Sequence, residues 1–161
     1  MSNAQDGSTT RIMRSTDRSL PIALLRARET VMAPIREMLA DAGVTEQQWR
    51  VLRVLSESGP LDGTKLADRA SLLAPSLTRI AQTLESKEYM TREASQTDRR
   101  RQVFAITRKG RHLLDQYREQ ALTIATATEA RLGTEKLNHL LDLLAELQDP
   151  MPEPRDTPRQ D

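Results

Sequence analysis

Residues 61–110 constrain the fold more tightly than any other part of the chain. They read LDGTKLADRASLLAPSLTRIAQTLESKEYMTREASQTDRRRQVFAITRKG. Two helical patterns come first, parted by a short turn at residues 71–73. Asp62 is placed to cap the first, because a carboxylate at that position accepts the free amide hydrogens of a helix start. Pro75 fits the first turn of the second, where its missing N–H costs nothing. In that second pattern Leu77, Ile80, Ala81 and Leu84 share one face at helical spacing. Pro75, Ser76, Thr78, Arg79 and Gln82 fall on the other. That set is short, mostly polar and able to hydrogen-bond, as a helix laid into a DNA major groove requires.

A hairpin pattern follows. Residues 89–92 and 103–106 read as two short strands, joined by a polar loop that carries Arg99, Arg100 and Arg101 in succession. Helix, turn, helix and then a basic-tipped hairpin is the pattern of a winged helix-turn-helix. The loop is long enough to reach a minor groove, where an inserted arginine reads groove width and negative potential. Arg100 is the expected inserted residue, and Asp98 is expected to hold the wing, by pairing with Arg79. The plainer reading of three arginines is a solvated turn. Their position just after the helix pair favours DNA, and so does the charge distribution. Residues 76–111 hold nine basic side chains against four acidic ones, a surplus of five; in a chain of net charge +1 this leaves the remainder at −4.

The chain has 161 residues and no cysteine, which excludes disulfides, thiolate metal sites and cysteine redox switches. Aromatic residues make up only 2%, so the core must be aliphatic. His112 and His139 lie in helical stretches without a paired nucleophile, and there is no phosphate-cradling glycine loop or HExxH spacing. An enzyme is therefore not expected, nor is a cofactor or a metal. No apolar run approaches a membrane span, and the first twenty residues are too polar for a signal peptide; the expectation is a cytoplasmic protein that does not engage membranes.

Residues 1–19 are polar, without periodicity, and read as a disordered arm. Residues 20–42 form a helical pattern with two neighbouring apolar stripes, so a broad face is expected to be buried, and Pro34 is expected to bend or interrupt the helix. Thr45 and Gln48 have capping-box spacing ahead of a helix over 46–58, with Val51, Leu52 and Leu55 facing inward. Trp49 reads either as plain core or as one wall of a ligand pocket. Thr107 is placed to cap a helix that continues without Gly or Pro to about residue 132, with basic residues in its first turn that oppose the helix dipole. A last helix opens at Thr134 and carries a stripe of Leu137, Leu140, Leu141, Leu144 and Leu147. Residues 149–161, with four prolines, read as a disordered tail.

The expected domain thus spans residues 20–148, with a DNA-binding lobe at about 45–110 and flanking helices at about 20–42 and 107–148. A leucine stripe with nothing left in the monomer to cover it implies a partner. A homodimer built from the terminal helices would set two recognition helices on one face, over the half-sites of a palindromic operator. The competing reading is a winged-helix module that pairs proteins and leaves DNA alone.

Three features carry a family resemblance: Ser76-Leu77-Thr78-Arg79 at the start of the second helix, Asp98-x-Arg100 in the wing, and Phe104-Ala105-Ile106-Thr107-x-x-Gly110 at the return to helix. Over residues 20–148 the chain resembles the MarR family of winged-helix regulators. Ile22-Ala23-Leu24-Leu25-x-Ala27-Arg28-Glu29, Thr45-Glu46-Gln47-Gln48-Trp49-Arg50 and Pro75-Ser76-Leu77-Thr78 liken it to the homoprotocatechuate-degradation operon repressors. The triple arginine exceeds the family's usual one or two basic residues after Asp98, and Ala105 is smaller than usual. The resemblance implies a dimeric repressor of double-stranded DNA, released by a small phenolic or aromatic carboxylate bound between the dimer helices and the DNA-binding lobe. Arg28, Trp49 and Arg50 are the residues expected at that ligand, since a guanidinium pairs bidentately with a carboxylate and an indole stacks on a ring. For Arg28 a second reading stands beside this one: an ion pair with Glu29 or Glu46.

Overall fold

The computed structural model describes residues 16–94 and 101–148. A single 3-10 turn, Thr16–Arg18, precedes the first helix, so the end of the expected arm has local structure. Seven α-helices and three strands follow among these residues: α1 Leu20–Asp41, α2 Glu46–Ser58, β1 Leu61–Asp62, α3 Gly63–Arg69, α4 Ala74–Ser86, β2 Met90–Ala94, β3 Gln102–Ile106, α5 Arg108–Gln116, α6 Arg118–Leu132 and α7 Thr134–Gln148. The chain divides into two compact units after Ile124.

In the first unit, local chemistry sets each helix start. Thr45 accepts from the Gln48 amide while the Gln48 side chain accepts from the Thr45 amide, so the expected capping box closes. Asp62 accepts from the Lys65 amide and Thr107 from the Gly110 amide, each satisfying a donor that the helix leaves over. Gly59 ends α2 at φ 74, a conformation that costs a glycine little. The core is aliphatic and lies between α2, α3, α4 and the sheet, with Leu52, Leu55, Leu66 and Leu84 fully buried. The sheet is antiparallel in the order β1-β3-β2, with Leu61 opposite Phe104 and Met90 opposite Ile106. β1 has two residues, too few to show a strand period in sequence.

Two expectations need correction and one is narrowed. Of the bend or interruption expected at Pro34, the interruption is absent: α1 runs unbroken from Leu20 to Asp41. Proline deprives the Thr30 carbonyl of its partner, but Thr30 is exposed, so water can take that place. Within the single chain α1 does not bury a broad face; only Met38 and Leu39 are buried, while Leu20, Leu24, Leu25 and Val31 stay exposed. The long helix after Thr107 is two helices, broken at Tyr117. No helix breaker stands there; tertiary contacts hold the residue. Its ring meets Trp49 edge-on at 6.4 Å, and its hydroxyl donates to Asp41 Oδ2 at 2.8 Å.

In the second unit, Gly133 (φ 82) separates the end of α6 from α7, and the Thr134 hydroxyl donates to Glu129 Oε1 at 2.7 Å. α7 has no buried residue: Leu140, Leu141, Leu143 and Leu147 are between 42% and 54% exposed.

One surface feature ties β2 and α5 to the end of α4. Glu88 sits at φ 60, in the left-handed region. Its carbonyl accepts from the Thr107 hydroxyl at 2.7 Å and its carboxylate from Lys109 Nζ at 2.8 Å. The Lys109 hydrogen bond holds the Glu88 carboxyl below its ordinary range and raises the Lys109 ammonium. A depressed carboxyl stabilises the fold fully above its unfolded value and less as pH falls through the folded one. A raised lysine contributes below its unfolded value and is lost as pH rises through the folded one. Glu88→Gln is therefore expected to flatten the acid limb of melting temperature against pH, where pH falls below the ordinary carboxyl value of 4.5. An unchanged acid limb would contradict the pairing.

Candidate nucleic-acid interface

α4 carries the first part of the interface. Leu77, Ile80, Ala81 and Leu84 bury its inner face. Pro75 stands in its first turn, and Pro75, Thr78, Arg79 and Gln82 are exposed, with Ser76 half-buried beside them. The hydroxyls of Thr78 and Thr83 donate back to the carbonyls of Ala74 and Arg79, both at 3.2 Å, which turns their remaining lone pairs outward as acceptors. α3 precedes α4 through a tight turn at Ser71, which holds φ 50 and donates its amide to the Asp68 carbonyl at 3.0 Å.

The wing is anchored to this helix by a contact that sequence reasoning missed. Arg92 on β2 lies 3.1 Å from Glu85 on α4, both partly buried. The expected Asp98–Arg79 pair falls outside the described residues, as do Arg99 and Arg100. Arg101 is described at the wing root. It is exposed, and its charge reaches Asp62, whose carboxyl is lowered chiefly by the Lys65 amide and then by the Lys65 and Arg101 charges. Between α3, the start of α4 and the wing root lies a groove of about 710 Å³, lined among others by Lys65, Leu73, Thr78, Arg101 and Gln102. On the other side of α4, a cleft of about 200 Å³ is lined by Thr45, which caps α2, by Gln47 of α2 and by Ser76, Arg79 and Thr83.

The residues expected at a ligand are brought together only in part. Arg28 Nη2 donates to both carboxylate oxygens of Glu46, at 2.6 and 2.8 Å, and Arg50 Nη2 lies 3.4 Å from the same Oε1. Arg28 Nη1 stands 3.6 Å from Glu29. Trp49 is 9% exposed, belongs to the core and points to Tyr117. Tyr117 and Asp41 join this cluster without any signal in the sequence, because they are 76 positions apart. The hydrogen bond to Asp41, followed by burial, raises the Tyr117 phenol, which keeps it a proton donor. Lys87, at the end of α4, donates to the Gly43 carbonyl at 2.7 Å and ties that helix to the α1–α2 turn.

A helix pair with a polar outer face, flanked by a hairpin pinned to its second helix, defines a winged helix-turn-helix DNA-binding regulator. A model of the MarR family matches residues 44–101. The chain is 40% identical to the HTH-type transcriptional regulator FarR of Neisseria gonorrhoeae, over 83% of this chain and 92% of FarR. It is 38% identical to the homoprotocatechuate degradative operon repressor of Escherichia coli, over 80% of this chain and 86% of the repressor. Its fold is similar to the crystal structure of NadR in complex with 4-hydroxyphenylacetate, with a TM-score of 0.73, 40% identity, and coverage of 84% of this chain and 96% of NadR. The chain belongs to the MarR family of transcriptional regulators.

Proposed function

We propose that this protein is a homodimeric repressor that binds a palindromic operator and leaves it when a small aromatic acid binds. The observation that carries the DNA reading is the two-faced α4, with an apolar side seated in the core and Pro75, Ser76, Thr78, Arg79 and Gln82 left outward. Arg99, Arg100 and Arg101 supply the wing, with Arg100 in the minor groove and Asp98 bracing the loop. The exposed leucines of α7 and the exposed apolar residues of α1 support a dimer through these helices. A gel-shift titration on the protein's own upstream DNA separates this reading from a protein-pairing module, which would show no sequence-specific shift.

The dimer has its own test. A chain ending before Thr134 is expected to sediment as monomer or aggregate and to lose operator binding, because one half-site offers few phosphate contacts. A truncated chain that stays a stable dimer would remove α7 from the interface.

For the effector, the likeness to NadR, which was crystallised with 4-hydroxyphenylacetate, supports a hydroxylated phenylacetate or benzoate. Arg28 would take its carboxylate, with Arg50 next to it and Trp49 beside the ring. Such a ligand shifts DNA affinity only if it prefers the DNA-incompetent arrangement. The expected coupling is about 1–3 kcal/mol, and operator must weaken the acid by the same factor as the acid weakens operator. Calorimetry of the acid into wild type and Arg28→Ala, with and without operator, tests this; equal affinities throughout would make Arg28 structural.

A further inference from the structure

Arg28 is occupied by a carboxylate already. Glu46 takes two hydrogen bonds from its Nη2, at 2.6 and 2.8 Å, so that both carboxylate oxygens sit on one guanidinium nitrogen. A carboxylate arriving at Arg28 therefore meets a side chain of its own chemistry. The pair is partly exposed, at 50% for Arg28 and 27% for Glu46, and ion pairs in such settings are weak enough to be exchanged. Glu46 also has somewhere to go. Arg50 Nη2 lies 3.4 Å from Glu46 Oε1, and Glu46 is the first residue of α2, where amide hydrogens favour negative charge.

The location of Glu46 gives the exchange a consequence. Thr45 and Gln47, its neighbours on either side, line the cleft shared with Ser76, Arg79 and Thr83 of α4. In the free protein Arg28 stands between two carboxylates, Glu46 at 2.6 Å and Glu29 at 3.6 Å; Arg50 also faces Glu46 and Arg36 holds Glu29. Once an acid holds Arg28, Glu46 keeps only Arg50 as its partner, and its charge at the helix start that borders the DNA-facing surface is less well offset. Negative charge there opposes phosphate.

We infer that Glu46 is a built-in competitor for the effector carboxylate: a positioning residue that acts through Arg28, lowers effector affinity and carries the arrival of the acid to α4. This rests on the reading of Arg28 as the carboxylate receptor. The experiment is calorimetry on the full chain with 4-hydroxyphenylacetate and its neutral counterpart 4-hydroxyphenylacetamide, using wild type, Glu46→Gln, Arg28→Ala and the double variant. Glu46→Gln is expected to tighten the acid about three- to tenfold. It should leave the amide unmoved, and the gain should vanish in the Arg28→Ala background. Glu46→Asp, whose carboxylate is drawn back by one methylene, should tighten the acid by less and serves if the glutamine variant melts early. An acid affinity that is unchanged or weaker in Glu46→Gln, while Arg28→Ala still weakens it, overturns the competitor and leaves the receptor standing. An acid affinity indifferent to Arg28→Ala, or no binding of the acid to wild type and Glu46→Gln alike, overturns both.

Discussion

Gly110→Ala is expected to cost the DNA-binding lobe most of its stability. Gly110 lies inside α5, where alanine ordinarily gains about 0.5–1 kcal/mol over glycine. Here a Cβ would overlap the Tyr89 carbonyl oxygen and come within 2.8 Å of Ile106 Cγ1. The first obstacle is backbone, which also accepts from the Thr107 amide at 3.0 Å, so it cannot swing aside as a side chain would. Overpacking typically costs about 1–3 kcal/mol and occasionally more; with immovable backbone as the obstacle the upper end applies, which exceeds the gain in helix propensity. The variant should melt far below wild type or fail to fold, as read by thermal denaturation. Gly63→Ala is the control: its Cβ would stand 3.3 Å from Phe104 Cε2, a contact that a small ring shift relieves. A Gly110→Ala protein as stable as the Gly63→Ala protein would refute the account of the Thr107-x-x-Gly110 junction.

The second large effect falls on Arg79. It is exposed on α4 and borders the cleft formed with the α2 start. A base-edge arginine is worth about 1–3 kcal/mol of discrimination, so Arg79→Ala should weaken operator about ten- to a hundredfold. Binding to unrelated DNA should fall far less. Arg100→Ala should weaken operator at least about tenfold through the minor groove while fold and dimer stay intact. A salt series on both variants separates the roles: loss of a phosphate contact lowers the salt slope by about one and affects all sequences alike. Equal losses on operator and random DNA for Arg79→Ala would place it on the backbone.

What could be read from the sequence was what depends on neighbours a few residues apart. The capping box at Thr45 and Gln48, the Asp62 and Thr107 caps and the two faces of α4 all follow from spacing within one or two turns. Local rules lead to a bend or an interruption at Pro34; the helix is not interrupted there, since an exposed carbonyl can be hydrated. The break at Tyr117 shows the converse: contacts to Trp49 and Asp41 end a helix that no local residue would end. The same reason hid the Glu85–Arg92 anchor and the Lys87 tie to Gly43, which exist only once the fold has joined their elements. At Arg28 the sequence left open an effector carboxylate or an ion pair with Glu29 or Glu46. Both acids stand beside it, Glu46 at 2.6 Å and Glu29 at 3.6 Å, and the shorter contact makes Glu46 the competitor for the effector.

The most direct test of the central claim is one anisotropy titration of the protein on its own upstream duplex, at fixed salt, with and without saturating 4-hydroxyphenylacetate. The expected result is tight binding that random duplex does not match, weakened about five- to 150-fold by the acid. Binding that does not distinguish the upstream duplex from random DNA, or that the acid leaves untouched, would contradict it.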